Sequence, residues 1–208
     1  MVSFWKQKAD YSPFNLNKPD QWRIPLMATW NFDPTHTSAT FAARHMMITT
    51  VRGGFTKISG TLEYDPQNPA AASVEAVIDT RSLTSTGADD RDNHLKSPDF
   101  LDVERYPTIT FRSTQVEPNA GGSTARITGD LTIRDVTRPV VLDAELLGVG
   151  KSPWGDERAG FSGSVTINRE DFGLTWNMAL ETGGWLVGKD IKISLDLEAI
   201  RVTEVQPA

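Results

Sequence analysis

Ile191-Lys192-Ile193-Ser194-Leu195-Asp196-Leu197-Glu198-Ala199 sets an apolar side chain against a polar one at every step. Successive side chains of a strand point to opposite faces, so a period of two describes a strand with one greasy face and one wet face, the pattern of an antiparallel sheet. The same alternation recurs upstream. Phe161, Val165 and Ile167 alternate with Ser162, Ser164, Thr166 and Asn168, and Ile127, Leu131 and Ile133 with Arg126, Thr128, Asp130 and Thr132. Val140, Leu142, Ala144 and Leu146 form another such run, whose outer face Val141 and Leu147 blur. Thr108 to Arg112, Val74 to Thr80, Phe55 to Tyr64 and Ala39 to Met46 bring the total to about eight strands. The run from Phe55 changes parity before Ile58, as a bulge or bend requires.

Turns are expected at Gly53-Gly54, from Asp65-Pro66 to Pro69, from Pro118 to Gly122 and at Ser152-Pro153-Trp154-Gly155. Strands this regular, with no helices between them, predict an all-β meander closed as a barrel or folded as a sandwich. One helical insert interrupts them, near residues 86–102. The alternation vanishes between Thr84 and Lys96, Asp89 and Asp90 suit a first helical turn, and Lys96 suits a last one. Ser97-Pro98-Asp99 reads as an N-cap with proline at the first helical position, opening a second short turn that carries Phe100 and Leu101. Tyr106-Pro107 returns the chain to extended geometry.

The chain of 208 residues fits one domain, with residues 29–203 as the barrel, 1–28 as an irregular arm and 204–208 as a tail. Phe4, Trp5, Tyr11, Phe14 and Trp22 serve as aromatic anchors of the arm. With 27 acidic and 21 basic residues the net charge is −6, which argues against a general nucleic-acid binder or a polybasic membrane anchor. There is no cysteine, so disulfides, thiolate nucleophiles and thiolate-bound metals are excluded. The first residues lack an apolar run of the secretory or membrane-spanning kind. The cytoplasm is therefore the expected compartment and no stable membrane insertion is expected, with a periplasmic or secreted protein as the alternative should a signal have preceded this chain.

His36, His45 and His94 are the only histidines, and none lies at a local metal-ligand spacing, so no metal is expected. His45 falls near a strand end. Arg91 and His94, three residues apart, share a face of the helical insert. Asp79, Asp89, Asp92 and Asp130 are the carboxylates that could do acid–base chemistry if burial moved their pKa values apart. No nucleophile elbow, Walker loop or dinucleotide fingerprint is present. The stretch from Leu174 to Gly188, with Trp176, Met178, Trp185 and Leu186, is too greasy to be an open loop: it either folds onto the core or rims a pocket for an apolar ligand.

Several stretches occur together and in order: Phe55-Thr56-Lys57-Ile58-Ser59-Gly60, Arg91-Asp92-Asn93-His94-Leu95, Pro107-Thr108-Ile109-Thr110-Phe111, Gly129 to Val140, and Asn168-Arg169-Glu170-Asp171-Phe172-Gly173-Leu174. From about Thr29 to Val202 the chain resembles the YceI-like family of bacterial polyisoprenoid-binding proteins. The resemblance implies an eight-stranded antiparallel lipocalin-like barrel, closed at one end, whose tunnel holds a polyprenyl lipid or an isoprenoid-quinone tail. It implies no catalytic residue and no cofactor beyond that lipid. An eight-stranded barrel is wide enough for one slim ligand. Each buried methylene contributes about 0.8 kcal/mol, so a few isoprene units supply on the order of 10 kcal/mol before ordering costs.

The residues expected to meet the ligand are Phe41, His45, Phe55, Ile78, Arg91, His94, Phe100, Phe111, Leu131, Phe161, Trp176 and Met178. Asp89, Asp90 and Asp92 beside Arg91 favour a neutral quinone ring over a pyrophosphate. Carriage, storage or sequestration is the expected role. The competing expectation is an enzyme acting on an isoprenoid through Asp/His groups at the barrel mouth. Family analogy and the frequency of twofold assemblies make a homodimer a further expectation.

Overall fold

Alternating strands with one apolar face bury it by closing on themselves, and the chain does so in the computed structural model, which describes residues 27–181 and 183–203. The expected arm, apart from its last two residues, and the expected tail lie outside the described residues. Ten strand segments form one sheet: β1 (Ala28–Phe32), β2 (Ser38–His45), β3 (Thr49–Phe55), β4 (Ile58–Tyr64), β5 (Ser73–Asp79), β6 (Thr108–Pro118), β7 (Thr124–Ile133), β8 (Val136–Lys151), β9 (Glu157–Asn168) and β10 (Val187–Arg201). All pairings are antiparallel, and β1 pairs with β10 to close the ring.

Ten segments make eight barrel strands because two strands are interrupted. β10 pairs along its first part with β2, from Val187↔His45 to Asp196↔Ser38, and then with β1, from Ala199↔Phe32 to Arg201↔Trp30. β1 and β2 are thus one strand, broken where Pro34 cannot donate to the ladder and Asp33 Oδ1 accepts from the Thr35 N–H at 2.8 Å. β3 and β4 likewise run in line, β3 beside β2 and β4 beside β1. Their break at Thr56-Lys57 matches the change of parity in the sequence, and Ser82 Oγ accepts from both of the exposed backbone N–H groups there, at 3.2 and 3.0 Å.

Two local expectations are corrected. Gly53-Gly54 is not a turn but part of β3, because a Cβ on Gly53 would come within 2.5 Å of the Phe41 ring. The glycine makes room for that ring, and the true β2–β3 turn is formed by Met46 and Met47, both in the left-handed region at φ 51° and 64°. The second helical turn expected after Ser97 is also absent. α1 (Asp89–Lys96) is the helix of the insert, Ser97 is its C-cap, and Ser97 to Leu101 follow as plain turns. The first-turn acids and last-turn Lys96 stand where the sequence placed them. β1 and β3 are strand segments beyond those the alternation marks.

The buried residues form two clusters at opposite ends of the barrel. At the α1 end, Phe100, Ile109, Ile133, Ile167, Phe172 and Leu174 pack together. At the other end, Trp30 sits with Ala28, Leu62, Tyr64, Ala159 and Ala199 and fills the side formed by β1, β9 and β10. Among the described residues, no helix is long and apolar enough to cross a membrane.

Candidate functional site: an apolar cavity along the barrel

A cavity of about 330 Å³ runs inside the barrel. Its wall follows directly from the period of two. β10 contributes Ile191, Ile193, Leu195 and Leu197, β9 contributes Phe161, Val165 and Ile167, and β7 contributes Ile127, Leu131 and Ile133. Small residues at other inward positions, Ala76, Ala125, Ala144 and Gly163, leave the space open. The lining is apolar nearly throughout, as expected of a site that takes a ligand by burial rather than by charge.

The two ends of this cavity differ. At the α1 end its lining residues Phe100, Ile133, Ile167, Arg169 and Leu174 are buried. At the far end it reaches Ser73, Gly122, Ser123, Thr124 and Glu145, all exposed, so among the described residues this is the open end.

The closed end is held by the insert. Asp92 is buried and accepts from the Thr86 N–H at 2.9 Å and from the Thr86 hydroxyl, while Arg91 donates from Nε to Thr86 Oγ1 and from Nη2 to the Thr86 carbonyl. The Thr86 hydroxyl first, then its backbone N–H, hold the Asp92 carboxyl below the usual carboxylate range. These charges are spent on fastening the entry to α1. His94 Nε2 donates to Asp99 Oδ2, 2.8 Å away, and the ring stands edge-on to Trp176 and Phe100 with ring centroids 4.4 and 5.0 Å apart.

Of the twelve residues expected to meet a ligand, Phe41, Phe55, Ile78, Phe100, Phe111, Leu131 and Phe161 line the cavity. His45, Arg91, His94, Trp176 and Met178 do not. Arg91 is turned to Thr86, and His94 and Trp176 pack behind Phe100. His45 lies at the end of β2, paired with Val187. The greasy stretch divides: Leu174 is buried in the wall and Trp176 half-buried behind it, whereas Met178 is 55% exposed on a hairpin closed by an Ala179↔Trp185 bridge.

The residue that sequence reasoning passed over is Arg169. It lines the cavity at the closed end with only 3% of its surface exposed. Its signal was present, since Arg169 continues the inward series Val165, Ile167 by two further residues. Its Nε donates to the Gly188 carbonyl at 3.0 Å and its Nη1 to the carbonyls of Leu174 and Trp176. Nη2 has no partner. Burial pushes this guanidinium below its ordinary pKa.

A second charged group lies at the β1–β2 break. Asp33, His36 and Glu198 bring ligand-type atoms within 4.8 Å of one another, but Arg158 Nη1 donates to both Asp33 and Glu198, so their charge is already paired. Hydrogen bonds from the Thr35 hydroxyl, then from His36, hold the Asp33 carboxyl well below the usual range.

Residues 30–199 match the model of the YceI-like domain. The chain belongs to the YceI-like family. A UPF0312 protein of Vibrio cholerae is 43% identical over 139 residues, covering 67% of this chain and 72% of that one. A UPF0312 protein of Pseudomonas paraeruginosa is 39% identical over 166 residues, covering 80% and 82%. The YceI protein of Campylobacter jejuni superposes with a TM-score of 0.65 at 32% identity, over 77% of this chain and 90% of that one. BcnA of Burkholderia cenocepacia superposes with a TM-score of 0.67 at 25% identity, over 80% and 98%. A polyisoprenoid binding domain from Saccharophagus degradans shares the fold at 14% identity with a TM-score of 0.62, over 84% and 99%. The eight-stranded, lipocalin-like barrel is the YceI-like fold.

Proposed function

We propose that this YceI-like protein binds a long isoprenoid lipid inside its barrel and carries, stores or sequesters it without chemical turnover. The observation that carries this reading is the cavity, whose wall is apolar nearly throughout between Arg169 at the closed end and the polar rim at the open one. Its volume is at the low end for small-molecule pockets, which suits a slim chain better than a compact ring system. A ligand longer than the cavity leaves through the end at Gly122 and Thr124. The Saccharophagus degradans domain of the same fold is a polyisoprenoid binding domain, which is in keeping with such a ligand.

The positions of the candidate acid–base groups support the binding reading over the enzymatic alternative. Asp79, Asp89, Asp92, Asp130 and His94 all stand outside the cavity wall, and Asp92 is tied to Thr86. Native mass spectrometry of the purified protein, followed by organic extraction, is expected to show a bound isoprenoid recovered chemically intact. An empty protein that also fails to take up long isoprenoids overturns the proposal. Recovery of a chemically altered lipid after incubation favours the enzymatic alternative instead.

A further inference from the structure

We propose that Arg169 Nη2 is the anchor for a polar end of the lipid, donating to an oxygen acceptor seated at the closed end of the cavity. This rests on the reading of the barrel as a lipid site and names the part of the ligand that meets the cap. A guanidinium carries five N–H donors. Here one on Nε and two on Nη1 are taken by the carbonyls of Gly188, Leu174 and Trp176, and among the described residues both donors of Nη2 are unused. Burying a donor without a partner is costly, and burying one on a charged group costs more.

Three further observations aim this group at a ligand. Among the described residues three buried side-chain donors lack a partner, Trp30 Nε1, Arg134 Nε and Arg169 Nη2, and only Arg169 belongs to a residue that lines the cavity. Its guanidinium makes no direct ion pair with a carboxylate among the described residues; its hydrogen bonds go to backbone carbonyls, and Glu170 acts on its charge only from a distance. The three carbonyls also fix the fork, since they hold it against two sides of the Leu174 to Gly188 stretch. A preorganised donor in an apolar cavity gives up little entropy on binding, and its hydrogen bond is strengthened by the low local dielectric. The chemistry it selects is an oxygen acceptor: a carboxylate or phosphate oxygen, which also supplies the missing negative charge, or the neutral carbonyl of a quinone-type ring. The acyclic tail then runs along β5, β7 and β10 toward Gly122.

The experiment compares three ligands built on one prenyl chain of fixed length: the terminal carboxylic acid, the methyl ketone and the hydrocarbon without oxygen. Affinities are read from quenching of intrinsic tryptophan fluorescence in the full chain. The acid or the ketone is expected to bind about ten- to a hundredfold tighter than the hydrocarbon, the range of one hydrogen bond to a charged donor. A tighter acid assigns an anionic partner, and a tighter ketone assigns a carbonyl. Equal affinity for all three overturns this inference and leaves the lipid-binding reading standing, whereas no uptake of any of them overturns that reading itself.

Arg169 also fastens the Leu174 to Gly188 stretch, so its replacement alone is not decisive. The Arg169→Lys protein, if folded, is expected to lose the preference for oxygen while keeping its affinity for the hydrocarbon. In the unaltered protein the Arg169 side-chain nitrogen resonances are expected to shift with the acid or the ketone and to stay in place with the hydrocarbon. A purely structural arginine would show the same shifts with all three.

Discussion

The barrel's two ends solve the same problem in different ways. At the α1 end the chain uses an insert, a short helix and a cluster of aromatic side chains for closure: His94 stands edge-on to Phe100 and Trp176, which are tilted against each other, and Phe172 and Leu174 seal the wall beneath them. At the other end, Trp30, Tyr64 and Phe161 fill only the side of β1, β9 and β10, and the side of β6, β7 and β8 stays open through exposed turn residues. The closed end has the density of a folding core, with both donors of Arg169 Nη2 unpaired among the described residues. The open end has little to hold it shut. A tunnel of this kind combines a rigid base that fixes the ligand with a mouth through which it enters and leaves.

If the closed end is the stability core, truncating it should cost most. Phe172 is 2% exposed, so Phe172→Ala is expected to lower unfolding free energy by about 3–5 kcal/mol, measured by urea denaturation. A loss below about 1 kcal/mol would show that the cap is not where the stability lies. Between the ends, Ala144 leaves cavity space, and Ala144→Trp should fill it. Uptake of a prenyl lipid is then expected to weaken by about tenfold or more, equivalent to about 1.4 kcal/mol, in a titration followed by native mass spectrometry. Unchanged uptake with a folded protein would place the ligand elsewhere.

The open rim should be tolerant. Glu145 is exposed at the mouth, and Glu145→Gln is expected to leave stability within about 0.5 kcal/mol of the original in the same denaturation experiment. A large loss there would erase the contrast between the ends.

The most gradual effect is that of pH. Asp33 and Asp92 have folded pKa values below the ordinary aspartate value, so the folded state favours their ionised forms. Their contribution to stability is complete above about pH 4 and is lost as pH falls through the depressed folded values. His36 acts with the opposite sign: Asp33 first, then Glu198, raise its pKa, so what it contributes is present below its ordinary value and is lost as pH rises through the raised one. Denaturation midpoints measured from neutral pH down to acid should fall less steeply for Asp33→Asn than for the unaltered chain. Parallel curves would remove the Asp33 network from the account of acid stability.

Much of this molecule was legible along the chain because a strand writes its orientation into every second residue. Ile191, Ile193, Leu195 and Leu197 read as one buried face in the sequence and line the cavity in the structure, and the acids and Lys96 of α1 read as helix ends and are so placed. The family, too, followed from stretches that occur in order. What the alternation could not reveal is which contacts are made across the closed ring. It could not tell that Gly53 yields space to the Phe41 ring rather than turning the chain, nor that β1 and β2 are one strand joined through β10. His45, Arg91 and His94, expected at the mouth, and Trp176 and Met178, expected along the tunnel, lie outside the cavity lining; Thr86, Asp99 and Phe100 engage Arg91, His94 and Trp176, and the ladder pairs His45 with Val187. Arg169 makes the distinction most plainly. Period and sequence determine that it faces inward, but only the three carbonyls brought to it from Leu174, Trp176 and Gly188 decide which of its donors are used and which two are left, because hydrogen bonds between distant segments exist only once the ring has closed.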